Sequence, residues 1–217
     1  MRYILITLLL IIGLIVSGQE RYKPTVVVLD PYQTRYDTAL LEKIDEFTYR
    51  VEYTPREEKH ILDSFSKSEK NVQLMDVSEF HYRKQMDFAS SFSLSLYGML
   101  TYIVFGQTEK CIILVSHDKS DGAKEKFKLI SQKHRVQWVV SPLVLQSFTR
   151  DGQIFSTARI QVYDSIKDEI VLDKEYTGDT KSQGFELTCE NGTLNCTINN
   201  IVGASLRDIL LAISRSQ

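Results

Sequence analysis

Residues able to do chemistry are sparse in this sequence, and their spacing runs against the common catalytic arrangements. Histidines stand at positions 60, 81, 117 and 134. None belongs to a His-Glu-x-x-His array or lies four residues from another on one helix face, so a zinc hydrolase has no motif behind it. Ser116, His117 and Asp118 are consecutive. A nucleophile, its base and the acid that orients the base must converge in space, however, and neighbours on a strand point to opposite faces. The glycines at 98, 106, 122, 152, 178, 184, 192 and 203 never assemble G-x-G-x-x-G or G-x-x-x-x-G-K, the loops whose amides cradle phosphate. The expectation is no catalytic set, no metal site and no cofactor.

One carboxylate is better placed than the rest. Asp30 follows a β-branched run, and ligands collect at the carboxyl ends of strands in open α/β sheets, which makes Asp30 the candidate ligand-facing residue. The plainer reading is a turn initiator, because Asp before Pro31 favours a turn. An enzyme would need a site assembled from distant residues such as Asp30, His117 and Glu175.

Cys189 and Cys196 flank a segment containing Asn191 and Gly192, a tight-turn pair because both tolerate positive φ. In an oxidising compartment these cysteines are expected to pair, leaving Cys111, inside the apolar run 111–115, as a buried thiol. A metal would require a compact set of thiolates or imidazoles, and no histidine lies in 189–196. The sequons at Asn191 and Asn195 are read as turn chemistry. Lys124, Lys126, Lys128, Lys133 and Arg135, with Lys110 and Lys119 beside them, read as a solvated helix face.

The elements that must position these residues are legible in outline. Residues 25–29 predict a strand buried on both faces. Helical patterns follow at 37–47 and at 55–65, the second opening with Thr54 as cap and Pro55 at the first helical position. Short strands are expected near 50–53 and 72–75, then a long helical region starting at Asp76 or Ser78 and ending near Tyr102. Within it Phe88, Phe92, Leu96 and Leu100 recur every four residues, a buried stripe with a shoulder of Ser91, Ser95 and Met99. Residues 111–116 predict a buried strand, and Asp121 with Gly122 leads into a basic helix ending near His134. Strands over 136–146, 155–163 and 169–176 form an antiparallel meander, and a helix over 200–214 closes the chain. In the middle strand Ile154, Ser156, Ala158, Ile160 and Val162 alternate with Phe155, Thr157, Arg159, Gln161 and Tyr163, one face core and one partly wet. Pro142 implies a bulge, an edge position or a break in the first meander strand. The fold class is therefore α/β, a mixed sheet with helices on its faces.

The 217 residues fit a signal peptide over 1–18 and a single α/β domain over 19–217. With 26 Lys and Arg against 28 Asp and Glu, no global field favours nucleic acid or an anionic membrane surface. Arg2 precedes an uncharged apolar run over 3–16 and then Ser17 and Gly18, a secretory layout too short for a span of ~20 residues. The uncharged stretch 88–108 is long enough to span, but its serines, threonine and glycines dilute it well below a membrane helix. No stable membrane span is expected after signal cleavage.

From Lys110 to the end, the strand, helix, three-strand meander with its Val162-Tyr163-Asp164 ending and closing helix resemble the periplasmic α/β domain of TolB amino-terminal and CsgG-type envelope proteins. The resemblance implies a non-enzymatic binding or assembly module of the bacterial cell envelope, with another envelope protein as partner. The chain departs from that pattern in lacking a lipoprotein cysteine, in carrying Pro142 within a strand, and in the Cys189 to Cys196 loop. Membrane tethering and pore formation are therefore not carried over. The alternative is a secreted, hydrolase-like enzyme. The exported protein is expected to begin at Gln19 or Gly18; intact mass checks this, and retention of residues 1–16 contradicts it.

Overall fold

The computed structural model describes residues 25–45, 49–50, 85–86, 88–105, 113–181, 189 and 191–214. Along the chain the elements are β1 (Val26–Leu29), β2 (Gln33–Tyr36), a 3-10 turn at Thr38–Leu40, α1 (Leu41–Asp45), β3 (Tyr49–Arg50), β4 (Gln85–Met86) and α2 (Phe88–Phe105). They continue with β5 (Ile113–Ser116), α3 (Lys124–His134), β6 (Trp138–Arg150), β7 (Gln153–Asp164), β8 (Glu169–Gly178) and α4 (Leu194–Ser214).

The sheet is mixed and runs β5-β1-β6-β7-β8, with β2 also on β6. β1 is parallel to both neighbours, Val28 facing Val115 on β5 and Val140 on β6, whereas β6, β7 and β8 form the antiparallel meander. β3 and β4 make a separate antiparallel pair. Strand β1 lies inside the sheet between β5 and β6, and Val26, Val27, Val28 and Leu29 are all fully buried, two on each face.

One face packs Val26, Val28, Trp138, Val140, Ala158, Ile160 and Val162 against α2 and α4. The other packs Val27, Leu29, Val139, Leu143 and Tyr163 against Phe127 and Ile130 of α3. The chain passes from β1 to β5 by way of α2 and from β5 to β6 by way of α3. These crossovers step to opposite sides on opposite faces, as a common hand requires. Helix α2 has the expected stripe, Phe88, Phe92, Leu96 and Leu100 all being buried, each contributing roughly 1.5–3 kcal/mol. Helix α4 is long and apolar enough by composition to cross a membrane, yet Leu194, Ile198, Ile201, Ile209 and Ile213 lie buried in the same core as α2.

A chain of hydroxyls sets how closely α4 lies on the meander. Thr197 Oγ1 donates to the Leu194 carbonyl at 2.7 Å, so Ser156 donates to Thr197 at 2.6 Å and Ser147 to Ser156 at 2.8 Å. All three side chains are buried, and Gly178 beside them has no room for a side chain, because a Cβ there would collide with the Thr197 backbone. On the other face the Phe127 and Tyr163 rings stack at 5.7 Å and the Tyr163 hydroxyl donates to Asp168 at 2.7 Å. Burial, then that hydrogen bond, pushes the Tyr163 phenol up to about 12.

Several elements differ from the sequence reading for identifiable reasons. The helix expected over 37–47 is a 3-10 turn followed by the short α1, and the unforeseen β2 precedes it, held by pairing with β6. The long helix does not extend back to Asp76 or Ser78 without interruption, because Gln85 and Met86 pair with β3. The first meander strand continues to Arg150, since β7 pairs with it to the turn at Asp151 and Gly152. Helix α4 begins at Leu194, ahead of the expected Asn200, because the Thr193 hydroxyl accepts the Cys196 N–H and caps the first turn. The helix expected over 55–65, the strand over 72–75, the signal segment and Cys111 lie outside the described residues.

Gly178→Ala is expected to cost about 1–3 kcal/mol through overpacking against α4. Gly98→Ala, on α2 with nothing near its Cβ position, is expected to be neutral or to stabilise by up to ~1 kcal/mol. Thermal melting of the two variants checks the contrast, and equal melting temperatures contradict it.

Candidate functional site

The geometry at the carboxyl ends of the strands begins with Pro142. The ladder between β1 and β6 ends at the pair Val28 and Val140, and the ladder between β2 and β6 begins at Gln33 and Val144. Pro142 falls in the gap and has no N–H to give; the register against β7 shifts between it and Val144, and its carbonyl accepts the Tyr32 N–H at 3.1 Å. Asp30 and Pro31 lie in the same gap on the neighbouring strand. The Asp30 N–H still reaches the Ser116 carbonyl of β5 at 3.2 Å, and its side chain turns toward the α2 layer.

Asp30 Oδ2 accepts from His117 Nδ1 at 3.0 Å and from the Ser90 hydroxyl, in the first turn of α2, at 3.5 Å. The Asp30 side chain is 3% exposed and that of His117 19%. Ser93 adds a second tie, donating to the Leu29 carbonyl at 3.2 Å. Adjacent strands whose connections leave toward opposite faces create the crevice where open α/β sheets bind ligands, and β1 and β5 are such a pair. An ionised carboxylate only accepts, so the contact fixes a proton on Nδ1 and leaves the lone pair of the neutral ring on Nε2. Chemically this is an oriented base. The serine is bonded to the carboxylate and not to the imidazole, however, so the order of contacts is not that of a nucleophilic triad.

The next residue faces the other layer. Asp118 accepts from two adjacent residues at the carboxyl terminus of α3, from His134 Nε2 at 2.7 Å and from Lys133 Nζ at 3.0 and 2.9 Å. Burial pushes the Asp118 carboxyl up, but the hydrogen bonds and charges of Lys133 and His134 together outweigh it and hold the group below its ordinary value. The last turn of α3 is closed by Arg135 in the left-handed region at φ 55° and by Val136 N–H on the Ser131 carbonyl at 3.0 Å. β5 ends at Ser116, whose Oγ accepts the Asp118 N–H, and beyond it His117 turns to Asp30 while Asp118 turns to α3, so the consecutive Ser116, His117 and Asp118 do not converge.

Of the residues singled out in the sequence, Asp30 and His117 come together and Glu175 does not. Glu175 lies exposed on β8, across β6 and β7 from β1. Cys189 and Cys196 form a disulfide with their α-carbons 5.0 Å apart, within the ~4.4–6.8 Å such bridges span. The bridge ties residue 189 to the first turn of α4 and does not join two strand arms. In the basic cluster, Lys124 pairs with Asp168 and Lys133 with Asp118. Among the described residues no group of three His, Cys, Asp or Glu side chains could hold a metal ion. Sequence reasoning missed Ser90 and the Asp118–His134 pair, because their contacts are purely tertiary.

No family model and no curated protein sequence matches the chain. Among solved structures it is similar to a hypothetical protein from Chlamydia trachomatis, at 13% identity and a TM-score of 0.36 over 87% of this chain and 95% of that one. A Xanthomonas campestris protein shares 8% identity at a TM-score of 0.37, covering 90% of this chain and 94% of its own. The PelC dodecamer from Paraburkholderia phytofirmans shares 8% identity at a TM-score of 0.38, covering 83% and 86%. With TM-scores below 0.5 these likenesses assign the chain neither a family nor an activity.

Because the folded carboxyl of Asp118 titrates below its unfolded value of about 3.9, its contribution is fully present above that pH and is lost as pH falls through the folded value. Melting temperature measured from neutral pH into acid is therefore expected to fall more steeply for the parent than for Asp118→Asn, by a difference of at most about 1 kcal/mol for this partly exposed group. Parallel curves contradict the assignment.

Proposed function

We propose that this chain is an exported, non-catalytic module of the bacterial cell envelope that binds or helps assemble another envelope protein. The observation that carries this reading is the order of contacts at the strand ends. Asp30 stands between Ser90 and His117, so its carboxylate joins α2, β1 and β5 and does not orient a base against a nucleophile. Export is supported by the apolar run over 3–16 that ends in Ser17 and Gly18.

The binding surface in this reading is the meander face that α3 leaves open. There Phe148 and Phe155 stack at 5.9 Å, Arg150 lies 5.2 Å from the Phe155 ring, and Arg159 and Asp173 form a two-pronged pair at 2.8 and 2.6 Å. Half-buried aromatic rings beside arginines are the composition that protein interfaces favour. A secreted, hydrolase-like enzyme is the second reading, favoured by the Nε2 lone pair of His117 at the crevice.

A photo-crosslinking amino acid at Phe155 is expected to join the protein to an envelope partner in cells, and one at Lys126 on α3 is not. His117→Gln is expected to leave that crosslink unchanged. Ester or peptide hydrolysis by the purified protein, abolished in His117→Gln, overturns the proposal in favour of the enzyme.

A further inference from the structure

The two outer edges of the sheet are built differently. β8 is one edge, and at the carboxyl end β2 is the other, because β5 stops at Ser116, level with Leu29, and among the described residues β2 pairs with β6 alone. On β8, Asp173, Lys174 and Glu175 are consecutive. A second β8 laid antiparallel about Lys174 would set lysine against lysine and Asp173 against Glu175, like charges opposite one another, which guards an edge. β2 has no such guard. Its charge is Arg35, whose guanidinium donates to Gln33 Oε1 at 2.6 Å, and Tyr32 and Tyr36 on either side are 45% and 44% exposed.

We propose that β2 is the seam of a two-fold dimer of this chain, in which two copies of the strand pair antiparallel about Thr34. The segment Tyr32-Gln33-Thr34-Arg35-Tyr36 is complementary to itself in this register. Tyr32 meets the partner's Tyr36, Gln33 meets the partner's Arg35, and Thr34 meets the partner's Thr34. Aromatic pairs and threonine pairs are favourable cross-strand neighbours, and no like charges are opposed. The hydrogen bond that Arg35 now gives to its own Gln33 has the same chemistry as the one it would give across the seam.

The backbone fits the same register. The Asp37 N–H at the end of β2 points to β6, donating to the Ser147 carbonyl, and alternate residues of a strand address alternate edges, so the N–H and C=O groups of Thr34 and Tyr36 point outward. Thr34 and the partner's Thr34 then form a hydrogen-bonded pair that exchanges both N–H···O bonds. The pairs of Gln33 with the partner's Arg35 fall at the closer, non-hydrogen-bonded positions, with α-carbons ~4.5 Å apart, where side chains meet best. A single short strand is a small seam beside a standard interface of about 1,600 Å², which puts the expected dissociation constant in the micromolar range.

The test is sedimentation velocity of the purified protein across concentration, with two substitutions on the proposed axis. The parent is expected to pass from monomer to dimer, and Thr34→Lys, which sets two ammonium groups face to face, to weaken dimerisation at least tenfold. Thr34→Cys is expected to form a mild-oxidation disulfide between two copies of residue 34, identified by peptide mapping, while Glu175→Cys on the guarded edge does not cross-link. A parent that stays monomeric to ~1 mM, a dimer indifferent to Thr34→Lys, or Thr34→Cys that cross-links no better than Glu175→Cys overturns the proposal.

Discussion

Pro142 stands inside a strand that has neighbours on both edges, and a residue without an N–H can stand there only where no ladder bond is required of it. The requirement is met by breaking the neighbouring strand in two, with β1 and β2 lying end to end along β6 and Asp30, Pro31 and Tyr32 bridging the break. That break releases Asp30 from pairing with β6 at the carboxyl end of β1, while its N–H stays on the Ser116 carbonyl of β5. A carboxylate there must find donors or remain in water, and His117 and Ser90 supply them from β5 and α2. The bulge between Pro142 and Val144 also reverses the alternation of β6: Val144 follows Val139 and Leu143 onto the α3 side, and Leu145 enters the core beneath α2 and α4.

Around that point the layers are held by different means. The α3 layer rests on stacked rings and on ion pairs at its two ends, Lys124 with Asp168 and Lys133 with Asp118. The α4 layer rests on close approach, with buried hydroxyls and Gly178 where larger side chains would hold the helix off the sheet. Further along α4, Asp208 accepts from Lys174 and from the Tyr176 hydroxyl, fixing the helix against β8. α3 covers the meander only near Tyr163 and Ile170, so toward the other end the meander has core beneath and partly exposed side chains, among them Phe148, Phe155 and Arg159, above.

What could be read from the sequence was what local periodicity encodes. The four-residue apolar stripe located α2, the alternation from Ile154 to Tyr163 located β7 and assigned its faces, and Asn191 with Gly192 marked the turn inside the disulfide loop. The order of a parallel strand, a helix, a meander and a closing helix followed from these. β2 was not legible, because Gln33, Thr34, Arg35 and Tyr36 have neither an apolar run nor alternation and owe their conformation to β6. The start of α4 was hidden because Thr, Asn and β-branched residues in its first turns are poor helix formers that tertiary burial overrides. Asp30 was noticed for its position, but its partner lies 87 residues away, a contact that no local spacing records.

The central claim is that Asp30 and His117 act as one unit that closes the strand ends. A double-mutant cycle measures it directly, with unfolding free energies for the parent, Asp30→Asn, His117→Gln and the double variant. The account predicts that each single change destabilises and that the double costs less than their sum, with a coupling of roughly 0.5–3 kcal/mol as expected for residues in contact. Strict additivity would show that the two side chains do not depend on one another and would contradict the account.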